Sequence, residues 1–404
     1  MTQITVVKRS GQREPLHIEK WQAQVAKVCQ GIADVSQSMI EIKAQLHFYD
    51  GITTQEIDGI TLRAIVDLID VEQNPDVGHV NYQYVAGRLI NYHLRKEVYG
   101  DYTPCSLLEL VKRNVERGFY DSGLLAAYSE EEWTTLNTYV DHSRDEDFTY
   151  VAMEQWRGKY LVKNRVTGQI YETPQMAYML IAATLFQNYP RETRLKWVKD
   201  YYDATSLHDI SLPTPIMAGV RTSQKQFSSC VLIETDDSLD SINATASSIV
   251  KYVSQKAGIG IGAGRIRALG SPIRNGDAYH TGVIPFYKHF QSATRSCSQG
   301  GVRNGAATLY YPIWHYEVED LLVLKNNKGT EDNRVRRLDY SIQLSKIFYE
   351  RALSGGNITL LSPHDVPGLY EAFGDNEKFD ALYVKYENDS KVPKKSMSAM
   401  GLLQ

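Results

Sequence analysis

The sequence predicts an α/β fold preceded by two largely helical stretches, and three observations carry that prediction. In the first hundred residues a short hairpin pattern gives way to helical periodicity. From 100 to 210, Tyr and Leu recur at helical spacing. Beyond Pro213, short strand-like runs alternate with helix-length segments, the alternation that builds an α/β core with parallel strands.

In chain order, residues 5 to 16 read as a hairpin, because alternating TVVKR and REPLH flank the turn-forming Ser10-Gly11. Helices follow near 18 to 30, 37 to 48 and 54 to 70. The third opens with Thr53-Thr54-Gln55-Glu56, a capping-box pattern, and shows one apolar face of Ile57, Ile60, Ala64, Ile65 and Leu68. Asn74-Pro75-Asp76 marks a loop before a fourth helix near 80 to 98. In the last part, 227 to 234 reads as a strand, 239 to 255 as a helix and 306 to 311 as a strand. The domains expected are 1 to 98, 99 to 212 and 213 to 404.

Composition narrows the function. A chain of 404 residues, 43% hydrophobic, can bury a real core. The net charge of -4 gives no basic footprint for nucleic acid or an anionic membrane. No apolar run reaches the length of a membrane span, and the first residues lack a signal-peptide pattern, so a cytoplasmic location is expected. Cys29, Cys105, Cys230 and Cys297 are widely spaced, with neither a disulfide framework nor zinc-ligand spacing. No metal site is expected.

Four stretches could carry chemistry. The hairpin sets Lys8 and Arg9 before its turn and Glu14 and Lys20 after it, groups able to hold a triphosphate, although short charged runs are more often solvated surface. The run AGIGIGAGRIRALGSPIRNG at 257 to 276 invites anion binding through its glycine amides and Arg265, Arg267 and Arg274. It fits neither a dinucleotide fingerprint nor a Walker loop, and the bland alternative is a glycine-lined strand packed closely on its neighbours. The polar loop 296 to 305 combines Gln299 and Arg303 with several glycines and reads as functional because of its length. Cys230 follows Ser228 and Ser229 in FSSCVLIE, where a thiol and hydroxyls could line a cleft. Trp314, His315, Glu319 and Asp320 read as structural.

The strings at 227 to 274 and SCSQGGVRNGAATLYYPIWH at 296 to 315 closely resemble the large subunit of class I aerobic ribonucleotide reductases, of a phage-like kind. The likeness runs through LLSPHDVPGLYEAF at 360 to 373. It implies an N-terminal ATP-cone, a helical domain and the first part of a ten-stranded α/β barrel. It also implies ATP or dATP in the cone at Lys8, Arg9, Glu14, His17, Lys20, Thr54 and Lys96. Asp58 and His17 depart from the family pattern, which puts dATP inhibition in doubt. A deoxynucleotide specificity effector is implied at Asp237, Ser238, Leu239, Arg267 and Arg274, with Gln299 and Arg303 passing its identity to the substrate site. Thr214 and Ser229 match substrate contacts, and Cys230 matches one of two redox thiols.

The resemblance further implies a radical supplied by a diiron-tyrosyl small subunit, dimerisation of large subunits, and re-reduction by thioredoxin or glutaredoxin. In the family the thiyl cysteine, its Asn and Glu companions and the second redox cysteine come later, and no Cys follows Cys297 here. The expectation is a split large subunit completed by a second chain, in the host cytoplasm if phage-encoded. A noncatalytic nucleotide-binding regulator and an inactive truncation product are the alternatives.

Overall fold

The computed structural model describes residues 4–8, 10–299 and 303–404. They form two compact units, Met1–Phe227 and Ser228–Gln404.

The first unit opens with β1 (Thr5–Val7), antiparallel to β2 (Arg13–Pro15), then α1 (Ile18–Cys29), α2 (Gln37–Gln45), β3 (Ile52–Thr53), α3 (Thr54–Asp67) and α4 (Tyr82–Tyr99). β3 runs parallel to β1 and completes a three-stranded sheet in the order β2-β1-β3. The expected capping box is present: Thr53 accepts from the Glu56 backbone N–H, and the Glu56 carboxylate accepts from that of Thr53. Trp21, Val25, Ile40, Ile57, Ile65, Tyr82, Val85 and Leu89 fill this core.

Helix α4 serves two cores. Its first half packs into the core just named, while Ile90, Leu94 and Val98 belong to a second, helical core. That second core is built by α5 (Leu107–Glu116), α6 (Ser122–Ala127), α7 (Glu130–Tyr139), α8 (Tyr150–Gln155), α9 (Pro174–Phe186), α10 (Arg191–Ser206) and α11 (Thr214–Gly219). Gly87 of α4 meets the Phe148 carbonyl so closely that no Cβ would fit, which lets the helix and that backbone approach. α9 is apolar all round, as a central helix must be, with Met176, Ala177, Met179, Leu180, Ile181 and Ala182 all buried.

One ion pair lies at the bottom of this unit. Arg221 and Glu172 are both fully buried. The Arg221 guanidinium donates to both Glu172 oxygens and to the carbonyls of Met217 and Tyr160. Glu172 also accepts from the Tyr120 hydroxyl and the Val162 N–H, each at 2.6 Å. Every charge-bearing atom is therefore matched, the condition under which a buried pair is tolerated.

The second unit is α/β. It contains β4 (Cys230–Glu234), α12 (Leu239–Ser254), β5 (Gly258–Gly262), β6 (Pro272–Ile273), β7 (Ala278–Tyr279), α13 (Ile284–Arg295), β8 (Ser298–Gln299), β9 (Arg303–Asn304) and β10 (Ala307–Pro312). It continues with α14 (Val318–Leu322), β11 (Asp339–Gln343), α15 (Lys346–Leu353), β12 (Asn357–Leu361), α16 (Asn376–Asn388), β13 (Lys394–Ser398) and α17 (Ala399–Leu403). Four parallel strands run in the order β11-β10-β5-β4, leaving β4 and β11 at the edges. Ile259, Ile261, Leu309 and Tyr311 face a core shared with Ile249, Val253, Tyr287 and Phe290.

The glycine run takes the bland form: it is strand β5, with Gly258, Gly260 and Gly262 opposite Cys230, Leu232 and Glu234. A Cβ on Gly260 would lie 2.5 Å from Leu232 Cδ2, and one on Gly262 would strike the Glu234 carboxylate. The glycines therefore make room for β4 side chains and do not form an anion-cradling loop. The other differences are small. The strand expected from 227 begins at Cys230, and the loop at 296 to 305 contains the antiparallel pair β8 and β9.

Two outcomes follow. Arg221→Met strands the Glu172 carboxylate in the core and should cost about 3–5 kcal/mol in urea unfolding, the usual penalty for removing one partner of a buried pair. The second concerns Asp145, which is fully buried, with Oδ1 accepting from Gln175 at 3.0 Å and Oδ2 unpartnered. Burial pushes its carboxyl up to about 7. An unfolded Asp titrates near 4, so the folded chain holds the extra proton in between, and this group's contribution falls as pH rises from about 4 to about 7. Asp145→Asn should therefore gain stability relative to the parent across that window, measured by melting at stepped pH.

Candidate nucleotide sites and redox thiol

The hairpin, α1, α3 and α4 enclose a cleft of about 310 Å³. Lys8, Glu14, His17, Lys20, Thr54 and Lys96 all line it, so six residues chosen from sequence converge on one place. Arg9 lies outside the described residues. Lys8 and Glu14 face each other across the hairpin at 2.8 Å, and the Lys8 hydrogen bond holds the Glu14 carboxyl below its usual range. Lys20 extends from α1 and Lys96 from α4, with the Lys96 ammonium 5.5 Å from the Tyr102 ring centre. Tyr102 stacks on Tyr92 at 3.8 Å between centroids. Three lysines and a stacked aromatic pair lining one cleft suit a ligand with an anionic tail and a flat ring.

Among the other lining residues, Gln24, Tyr92 and His93 escaped the sequence reading, and Asp58 entered it only as a departure from the family pattern. Asp58 Oδ1 lies 3.0 Å from His93 Nε2, and Gln24 Nε2 lies 2.6 Å from the same nitrogen. Helical spacing could have found them. Gln24 is four residues beyond Lys20, Asp58 four beyond Thr54, and Tyr92 and His93 precede Lys96 by four and three.

A second cluster lies where β4 leads into α12. Ser238 caps α12, accepting from Ser241 N–H at 3.2 Å, and Leu239 is exposed. Asp237 Oδ1 accepts from the Arg267 backbone N–H at 2.9 Å, and Oδ2 takes Nε and Nη2 of that residue, each at 2.9 Å. Arg274 is exposed with φ +50°, in the left-handed region, as is its neighbour Asn275. The loop between β5 and β6 is pinned from below. Buried His315 lies 3.2 Å from the Ile266 carbonyl, and Glu317 accepts from Leu269 N–H at 2.9 Å. His315 is thus structural, as the sequence suggested, and Glu317, which the sequence did not single out, shares that role. Gln299 and Arg303 are register partners in the β8–β9 pair.

The third group is split between the units: Thr214 begins α11 in the first, and Ser229 and Cys230 enter β4 in the second. Cys230 is exposed and free, whereas burial pushes the Cys29 thiol up to about 11 and raises that of Cys105. An unburied thiol at a strand start is the one of these three suited to exchange chemistry. Among the described residues no group of His, Cys, Asp and Glu could hold a metal ion, and no helix is long and apolar enough to cross a membrane.

Comparison with known proteins joins these observations. Residues 4–97 match the ATP cone domain, 146–225 the all-alpha domain of ribonucleotide reductase, and 228–404 its barrel domain. The chain belongs to the class I ribonucleotide reductase alpha-subunit family. It is 57% identical over 398 residues to the ribonucleoside-diphosphate reductase subunit alpha of Haemophilus influenzae, covering 98% of this chain and 52% of that protein. To the ribonucleoside-diphosphate reductase 1 subunit alpha of Escherichia coli it is 57% identical over 400 residues, 99% of this chain and 52% of the relative. The subunit alpha of Enterobacteria phage T4 is 49% identical over 407 residues, 100% of this chain and 53% of the phage protein. The chain thus spans about half the length of the curated relatives it matches. The α/β unit is accordingly part of the reductase barrel.

Gly305 follows β9 and is buried, with no room for a Cβ between the Thr294 carbonyl and Val253 Cγ1. Gly305→Ala should lower stability in urea by about 1–3 kcal/mol, the range for overpacking, because the nearest obstacle is backbone.

Proposed function

We propose that this chain supplies the regulatory sites and one redox thiol of a ribonucleoside-diphosphate reductase, the enzyme that makes 2'-deoxyribonucleotides for DNA synthesis. The observation that carries the chemical part is Cys230, an exposed thiol at the first residue of a parallel barrel strand, next to Ser229. Reduction replaces the 2' C–O bond of the ribose by C–H and releases water. Two electrons and two protons come from two thiols, which end as a disulfide, and Cys230 is one of them. Ser229 and Thr214 are proposed substrate contacts.

The cleft bearing Lys8, Lys20 and Lys96 is proposed to take ATP or dATP, with the cone spanning residues 1 to 98. The cluster of Asp237, Ser238, Leu239, Arg267 and Arg274 is proposed to read a deoxynucleoside triphosphate. Gln299 and Arg303 would relay its identity, which makes regulation a coupling between distinct sites. The Asp58–His93 contact lies inside the cone cleft, so the balance between ATP and dATP here need not follow the family's.

The thiyl cysteine, its Glu base and the second redox thiol lie outside these 404 residues. Further polypeptide carrying them, whether a continuation or a second chain, completes the barrel in the reading favoured here. Edge strand β4 supports it, since Leu232 is 79% exposed there, as an unfinished barrel surface would be. A radical-generating small subunit and thioredoxin or glutaredoxin then serve as partners in the cytoplasm.

The test is reconstitution. This chain, combined with a polypeptide carrying the family's later cysteines, a small subunit and a dithiol reductant, should convert CDP to dCDP over many turnovers. Cys230→Ser should abolish turnover without changing the melting temperature. Full activity in that variant would remove the proposed redox role.

A further inference from the structure

The Asp237–Arg267 contact ties down the Nε–Nη2 edge of Arg267. Its backbone N–H, Nε and Nη2 are on the Asp237 carboxylate, and Nη1 donates to the Pro272 carbonyl at 2.5 Å. A phosphate that takes the Nε–Nη2 edge of Arg267 draws the guanidinium away from Asp237. That leaves the carboxylate with the backbone N–H alone, and a half-buried carboxylate short of donors is poorly held.

A replacement donor stands beside it. His364 Nδ1 is 3.8 Å from Asp237 Oδ2, about 0.6 Å beyond ordinary hydrogen-bond reach. It lies in the turn Pro363–Asp365, directly after β12. That turn is fixed to the same loop that carries Arg267: Ser362 Oγ accepts from the Ala268 N–H at 3.1 Å and pairs with Ser271 Oγ at 2.8 Å, both buried. His364 is half-buried.

We propose that His364 is a positioning residue of the effector site, taking hold of the Asp237 carboxylate when a triphosphate engages Arg267. The inference rests on the effector-site reading above. Asp237 then keeps a fixed direction for accepting a hydroxyl of the bound nucleotide, while Arg267 is freed for its phosphates. Carboxylate and guanidinium separate without either being left unpaired in a partly desolvated place.

The test is equilibrium binding of dTTP to the 404-residue chain by calorimetry. His364→Ala should weaken binding by about tenfold, the scale of one hydrogen bond to a charged group. His364→Asn places an amide nitrogen near the position of Nδ1 and should stay within about threefold of the parent. Both variants should melt at the parent's temperature without nucleotide. Parent-like affinity in His364→Ala overturns the proposal, and so does equal weakening in both variants, which would mean packing and not donation. Asp237→Ala separates the two levels: undiminished dTTP binding there sinks the effector-site reading itself, whereas loss there with an unaffected His364→Ala sinks only the role of His364.

Discussion

The contact between Arg221 and Glu172 holds the helical part of the first unit in register. Five segments meet at one carboxylate and one guanidinium: Tyr120, the 160–162 turn, Glu172 ahead of α9, Met217 within α11, and Arg221 itself. Hydrophobic burial alone would let these pieces slide, because apolar contact has no direction. A matched, water-free set of charged hydrogen bonds has one geometry, and the start of α11, where Thr214 sits, inherits its place from it.

Much of this architecture was legible in the sequence, for identifiable reasons. The capping box at Thr53 and Glu56 and the Ile57-to-Leu68 face depend on neighbours three or four residues apart, and such local rules survive folding. The six cone residues were assigned through family likeness, and the cleft gathers them. The glycine run was the misreading. Amides able to approach an anion and amides making room for Leu232 and Glu234 look alike in sequence, and only the strand register distinguishes them. The Glu172–Arg221 pair was equally invisible, since partners 49 residues apart leave no periodic trace.

The two proposed nucleotide clusters differ in physical character. The cone cleft is open and rich in cations, with flat aromatic walls, so a ligand can enter it with little rearrangement. In the Asp237 cluster the Nε–Nη2 edge of the arginine is already paired, and a ligand taking that edge exchanges one set of hydrogen bonds for another. Such exchange is how a modest difference in ligand can become a difference in loop position.

Helix α4 also has a mechanical meaning. An 18-residue helix is a rod roughly 27 Å long, stiff over that distance. One end borders the cleft through Tyr92, His93 and Lys96, while Leu94 and Val98, one turn away or less, are packed in the helical core. With Gly87 letting the Phe148 backbone rest directly against the shaft, there is no soft joint between them. Torque applied by whatever fills the cleft reaches the neighbouring core as rotation of a single rigid shaft, with nothing in between to absorb it.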